Sequence, residues 1–284
     1  MNLYRLVHNK GPLVAGISLL LLVAAGTFAP LIAPYGYDDQ ELRDRLKPPF
    51  WVSTQQQVHA LGTDELGRDV LTRILYGARA SMEVGFSGVI LGTLIGSFLG
   101  LCAGFFRGWF DLLVMRIGDI QLAFPYLLLA IAMLAVVGPS MIALITVLGI
   151  RTWVVYARTI RGVVVSLMAR DFTQAARALG ASPGRIMFGH LLRNIVAPVT
   201  VLASAELGNL ILLEATLSFL GLGVQPPMPS WGGMLSTGRV YMTTAWWIAT
   251  FPGIAMLVAV LAVNRLGDWL RDTLDPRTHS RLVA

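Results

Sequence analysis

Charge is scarce in this chain. Of 284 residues only 13% are Asp, Glu, Lys or Arg, against about a quarter in ordinary soluble domains. Hydrophobic residues make up 55% and the mean hydropathy is +0.67. That balance excludes an ordinary soluble globular domain and places the chain in a membrane. Cysteine is almost missing: Cys102 stands alone inside an apolar run, which excludes an intrachain disulfide and reads as a small buried apolar side chain. The only lysines are Lys10, followed by glycine, and Lys47, followed by proline. A phosphate-gripping Walker loop needs glycines followed by Lys and Ser/Thr, so this chain cannot hold ATP by that route. The histidines are His8, His59, His190 and His279, none within a long apolar run. There is no H-E-x-x-H, and no serine or aspartate pattern marks a catalytic pair, so the chain reads as non-catalytic.

Long apolar runs are what the chain does have. About 20 apolar residues cross the hydrocarbon core. Six candidates follow: Leu13–Pro34, Met82–Phe106, Gly118–Val137, Met141–Ala157, Val199–Leu220 and Trp246–Leu266. The fold class is therefore an all-α integral membrane protein of about six transmembrane helices. The first run is too long for a leader's apolar region and lacks a cleavage site, so it reads as a retained anchor. Pro125 and Pro252 fall within runs and predict kinks. A cytoplasmic N-terminus puts Arg5, Lys10, Arg107, Arg116, the segment Arg158 to Arg193 and the segment Arg265 to Arg281 inside, which is most of the 22 basic residues. The net charge of +6 then marks cytoplasmic loops rather than nucleic-acid binding. The expected order is a tail over residues 1–12, a first span over 13–34, an external loop over 35–81, a five-span core over 82–268 that includes a cytoplasmic loop over 166–194, and a C-terminal tail over 269–284.

Three features refine the spans. Val70, Leu71, Ile74, Leu75 and Ala78 form a stripe that suits either an amphipathic helix at the outer interface or a connector packed on the bundle. Gly88, Gly92, Gly96, Gly100 and Gly104 recur every fourth residue and make a smooth face for close packing, within one subunit or against a partner. Arg151, Glu206 and Glu214 are ionisable groups at membrane depth. The expectation is that a glutamate faces the central passage or a subunit interface, that one approaches Arg151, and that Glu206 and Glu214, eight apart, lie on nearly the same face. Asp119 reads as a local partner of Arg116.

One segment is polar and basic between greasy neighbours: "RDFTQAARALGASPGRIMFGHLLRN", from Arg170 to Asn194. Phe172, Ala175, Ala176 and Leu179 fall at i, i+3, i+4 and i+7. Gly180 suits a helix C′ position, and Ser182–Pro183 an N-cap with a first-turn proline. The segment predicts a short helix, a glycine break and a second helix, which together make a rigid docking knob. An ATPase on a separate chain is the obvious partner.

The residues then match a family. "QAARALG" resembles the EAA signature of permease subunits in bacterial ABC importers. "LGTDELGRDVLTRILYGARAS", "AFPYLLLAIAMLAVVGPS", "YARTIRG", "LEATLSFLGLGVQPPMPSWGGML" and "FPGIAMLVAVLAVNRLGDWLRDTLDPR" resemble the C-type permease of the dipeptide/oligopeptide/nickel branch, over nearly the whole chain. The resemblance implies a type I ABC importer permease fold with cytoplasmic coupling helices. It also implies a second (B-type) permease, two ABC ATPases or a heterodimer of them carrying ATP and Mg, and an extracytoplasmic substrate-binding protein. No cofactor is expected on this chain itself, and no nucleic acid; membrane lipid surrounds it. Carried over by position, Gln174, Ala175, Ala176 and Gly180 are the EAA core, beside Asp171, Phe172, Arg177, Leu179 and Ser182. Gln174 stands where the family usually has glutamate, and Arg193 where it often has proline. Arg151, Glu206 and Glu214 become candidates for the translocation path. Gln225, Pro226, Pro227 and Trp231 become candidates to face the binding protein. The spans offer few metal ligands beyond two glutamates and methionines, which leans towards short peptides; nickel or a metal chelate is the alternative, and an ion-driven secondary transporter a more distant one.

Overall fold

The computed structural model describes residues 10–53 and 57–274. His8, Arg5, His279 and most of the two tails named above lie outside the described residues. Helix α1 spans Lys10–Thr27 and a short α2 spans Ala29–Ile32. A polar segment follows, with a 3-10 turn at Leu42–Asp44 and a short antiparallel hairpin of two-residue strands, β1 Trp51–Val52 and β2 Val58–His59, in which Trp51 pairs with His59. That hairpin is the one departure from an all-α fold among the described residues.

Helix α3 is continuous over Val70–Phe106, 37 residues, or roughly 55 Å at the α-helical rise. Asp69 caps it, its side chain accepting the Thr72 N–H at 2.7 Å. The apolar stripe from Val70 to Ala78 is thus no separate helix: it forms the first turns of this long helix, with Val70 and Ala78 buried and Leu71, Ile74 and Leu75 half-buried. The absence of any Gly or Pro break before Gly77 lets the helix run on.

Helices α4 (Gly108–Ala123) and α5 (Tyr126–Val137) meet at a 91° bend. The sequence predicts a kinked single span from Gly118. Instead Pro125 ends the helix outright, because its ring forces Phe124 into an extended conformation. Helix α6 runs Met141–Met168, capped by Ser140, whose hydroxyl accepts the Ala143 N–H at 3.1 Å. It extends eleven residues beyond the apolar run, through Arg158 and Arg161. Arg161 pairs with Asp111 of α4 at 2.6 Å. Asp119 pairs with Arg158 of α6 and stands 3.9 Å from Arg116, so its main partner is across the helix pair rather than local.

Helix α7 is Asp171–Ala178. A π-helical stretch at Arg185–Leu191 leads straight into α8, Leu192–Phe219, so the second helix of the basic segment is the start of the fifth span. Helix α9 is Trp231–Val240 and α10 is Trp247–Leu274. Among the described residues five helices are long and apolar enough to cross a membrane, and a sixth span results if the bent α4–α5 pair is counted as one.

The glycine stripe packs inside the chain. A Cβ on Gly100 would stand 2.5 Å from the Ala157 carbonyl oxygen, and one on Gly88 2.9 Å from Leu210. Helix α6 therefore seats directly on the α3 backbone. Around that seam lies the core, with Leu144, Leu148, Leu210, Ile211 and Trp231 fully buried. A second core of Leu101, Ile160, Val164, Ile186 and Ile195 supports the basic segment.

Candidate functional site

The basic segment is held by one buried hydroxyl. Thr173 has no exposed surface, and its Oγ1 donates to the Leu167 carbonyl at 2.8 Å. This ties α7 to the end of α6. Asp171 sits in the first turn and Arg177 in the last, each where the helix dipole favours its charge. Gly180, with φ +76°, closes α7 in a Schellman motif: the Ala181 N–H reaches the Ala176 carbonyl at 3.0 Å and the Gly180 N–H the Arg177 carbonyl at 2.9 Å. Ser182 then caps the next helix, its hydroxyl accepting the Arg185 N–H at 3.4 Å.

With Thr173 turned inward, the apolar stripe turns outward. Leu179 is 88% exposed and Phe172 39%; Ala175 is exposed and Ala176 half-buried. Gln174 is exposed as well. Arg177 is exposed but leans back, with its guanidinium 5.9 Å from the centre of the Phe105 ring. The result is a short, braced helix presenting Leu179 and Ala175 uncovered among the described residues, with Phe172 partly exposed beside the His190 ring, 6.5 Å between centres. Thr173 is the residue that sequence reading missed. Its place inside the Phe172-to-Leu179 stripe marks the opposite, inward face.

Arg151 and Glu206 form the membrane-depth pair at 2.9 Å. Asn209 adds a bond to Glu206 at 3.4 Å, and the Arg151 guanidinium lies 5.3 Å from the Tyr126 ring centre. Gln121, just before the α4–α5 bend, donates to the Ile150 carbonyl at 2.9 Å and accepts from Trp153 at 2.8 Å. These side chains bring the bend, α6 and α8 together. Arg151 keeps a quarter of its side-chain surface, whereas Glu206 is nearly buried.

Glu214 does not join them and lines no open passage. It has no exposed surface, and its carboxylate accepts from Ser81 at 2.8 Å and Ser218 at 2.6 Å. Eight residues rotate an α-helix by about 80°, so the two glutamates face different neighbours, α6 for Glu206 and α3 for Glu214. The expectation of one shared face fails on that angle.

The end of the bundle opposite α7 carries a second polar cluster. Arg68 binds Asp64 at 2.7 Å and Glu65 at 2.8 Å, and Arg73 stands 3.3 Å from Asp64. His59 and Asp69 pair at 3.0 Å, both buried. Burial, then the neighbouring Asp64, raises the Glu65 carboxyl above its ordinary range. Glu65 and Arg68 line a cleft of about 340 Å³ shared with Gln225 and Pro226. Gln225, Pro226 and Pro227 are exposed. Trp231 is not: it has no exposed surface, and its indole N–H donates to the Ile74 carbonyl at 3.1 Å. Trp231 is an anchor of the outer core and is unavailable to a binding protein.

Comparison with known proteins agrees with this architecture. Residues 92–280 match the family described as binding-protein-dependent transport system inner membrane component, and residues 2–49 match the N-terminal TM domain of oligopeptide transport permease C. The chain is 44% identical over 270 residues to the di/tripeptide transport system permease protein DppC of Pseudomonas aeruginosa, covering 95% of this chain and 89% of that protein. It is 44% identical to the dipeptide permease DppC of Escherichia coli, over 95% and 90% of the two chains. It is 41% identical to the glutathione transport system permease protein GsiD of Pectobacterium atrosepticum, over 97% and 90%. With five to six candidate spans among the described residues and these matches, the chain belongs to the family of binding-protein-dependent transport system inner membrane components, as a multi-pass permease subunit.

Proposed function

We propose that this permease forms, with a second permease chain, the passage through which an ATP-driven importer moves short peptides inward. The peptide class rests on relatives whose names specify dipeptides, di/tripeptides and glutathione, itself a small peptide. The observation that carries the coupling role is the uncovered apolar stripe of α7, led by Leu179 at 88% exposure on a helix pinned by Thr173. An apolar stripe on a short helix held this rigidly suits docking into a groove of a partner.

In this reading two ATPases bind ATP and Mg and receive α7 on the cytoplasmic side. Both chain ends lie on that side, and an extracytoplasmic binding protein delivers substrate to the opposite face near Gln225, Pro226 and Pro227. Arg151 and Glu206 border the passage; Glu214 and Trp231 hold the outer end together. The test is uptake of a labelled dipeptide and of nickel by cells carrying this system, with co-purification of its subunits. Loss of both dipeptide uptake and ATPase co-purification on Leu179→Asp supports the reading. Nickel uptake without dipeptide uptake would overturn the peptide class, and full ATPase recovery and uptake with Leu179→Asp would overturn the coupling role.

A further inference from the structure

A cleft of about 470 Å³ runs between α1 and α10 on the outside of the bundle, a volume within the range of ordinary ligand sites. Val14, Ser18, Val258 and Leu261 line its length, and Lys10 and Arg265 stand at one end. Val14 is 61% exposed and Leu261 53%, so the apolar walls are uncovered by the rest of this chain. The two cations belong to different helices that approach closely here: Gly16 lies against Leu266. Among the described residues neither Lys10 nor Arg265 has a carboxylate within salt-bridge distance. Asp268, one turn beyond Arg265, is not part of the cleft wall.

The cationic end lies where a headgroup would be. The far end of α1 meets the start of α3, Gly26 packing on Ala78 and Arg79, while Gly104 near the end of α3 packs on Val164 of α6. Lys10 and Arg265 are therefore at the same end of the bundle as α7, at the membrane boundary. Two positive side chains, one on each spanning helix, along an apolar slot between them complement an anionic headgroup with its acyl chain.

We propose that this cleft is a binding site for an anionic phospholipid, its phosphate held by Lys10 and Arg265 and an acyl chain lying between α1 and α10. A neutral or zwitterionic lipid would fill the slot but would not use both cations. The second permease chain is the competing occupant.

The test uses the complete transporter in phosphatidylcholine nanodiscs with a photoactivatable phosphatidylglycerol bearing the reactive group on its acyl chain. Labelling is expected on the peptides holding residues 10–18 and 258–265, competed by phosphatidylglycerol and not by phosphatidylcholine. Each cation near a membrane surface contributes about a factor of five. K10Q/R265Q is therefore expected to lower the label roughly 25-fold, while R107Q, on the same side but outside the cleft, leaves it unchanged. S18F, which fills the slot without changing charge, should lower it too. Equal labelling by a phosphatidylcholine probe, or label unaffected by K10Q/R265Q, would overturn the proposal. So would a photo-crosslink from residue 18 to another protein chain in native membranes.

Discussion

At residue scale, Arg151 and Glu206 carry opposite charges into the spans at 2.9 Å. Removing one partner leaves the other unpaired in a low-dielectric setting, which costs about 3–5 kcal/mol when such a pair is buried. Arg151→Gln and Glu206→Gln alone should each lower the thermal stability of the purified complex, and the double variant should recover most of the loss. If the pair borders the passage, the double variant assembles but imports dipeptide more slowly; wild-type uptake by the double variant would make the pair purely structural. Glu214 behaves differently, since its carboxylate is satisfied by serines. Glu214→Leu strands Ser81 and Ser218 and is expected to cost about 2 kcal/mol or more, read as lower yield of assembled complex. Glu65 has its proton affinity raised by burial and by Asp64. A carboxyl of this kind favours the folded state while protonated and loses that contribution as pH rises through its folded value. Glu65→Gln should therefore match or exceed the wild-type melting temperature at neutral pH, with any gain fading in acid; a clearly lower melting temperature at pH 7 would contradict this.

At the scale of elements, the glycine stripe and the stop at Pro125 dominate. Leucine at Gly100 would drive into the Ala157 carbonyl, so Gly100→Leu is expected to separate α3 from α6 and abolish assembly, measured by membrane yield and size exclusion. The helices were legible because apolar run lengths and caps are local properties. Ser140, Gly180 and Ser182 do what their residue types predict. The failures were at joins. The continuity of α3 depends on a stripe that suits surface helix and buried helix alike, and the bundle decides between them. The 91° bend exceeds what a proline inside a span implies. Trp231 looked available because it follows three prolines, yet the Gly77 backbone opens a place for it against Ile74. A partner more than 150 residues away in sequence leaves no local trace.

At the scale of the molecule, the chain is braced at one end by Glu214, Trp231 and the Asp64–Arg68–Arg73 cluster. At the other end α7 presents its exposed Leu179. A two-ended body of this kind suits relay of movement from an ATPase to the membrane, because α7 is tied through Thr173 to α6 and through Gly180 to the start of α8. Thr173→Val keeps shape but breaks the bond to Leu167, and is expected to lower peptide-stimulated ATP hydrolysis while leaving assembly intact. The membrane class was visible in composition, and the short capped helix of the basic segment in its motif. The pairing of Arg151 with Glu206 rather than Glu214 was not, because it turns on helix rotation and on which neighbour each face meets.

The most direct measurement is site-specific crosslinking from Leu179→Cys in native membranes that contain the whole transporter. A single crosslinked partner carrying a Walker motif, with a yield that changes when ATP is added, is the result predicted. A residue 179 that reacts freely with a soluble thiol reagent and never crosslinks to an ATPase would contradict the coupling role of α7.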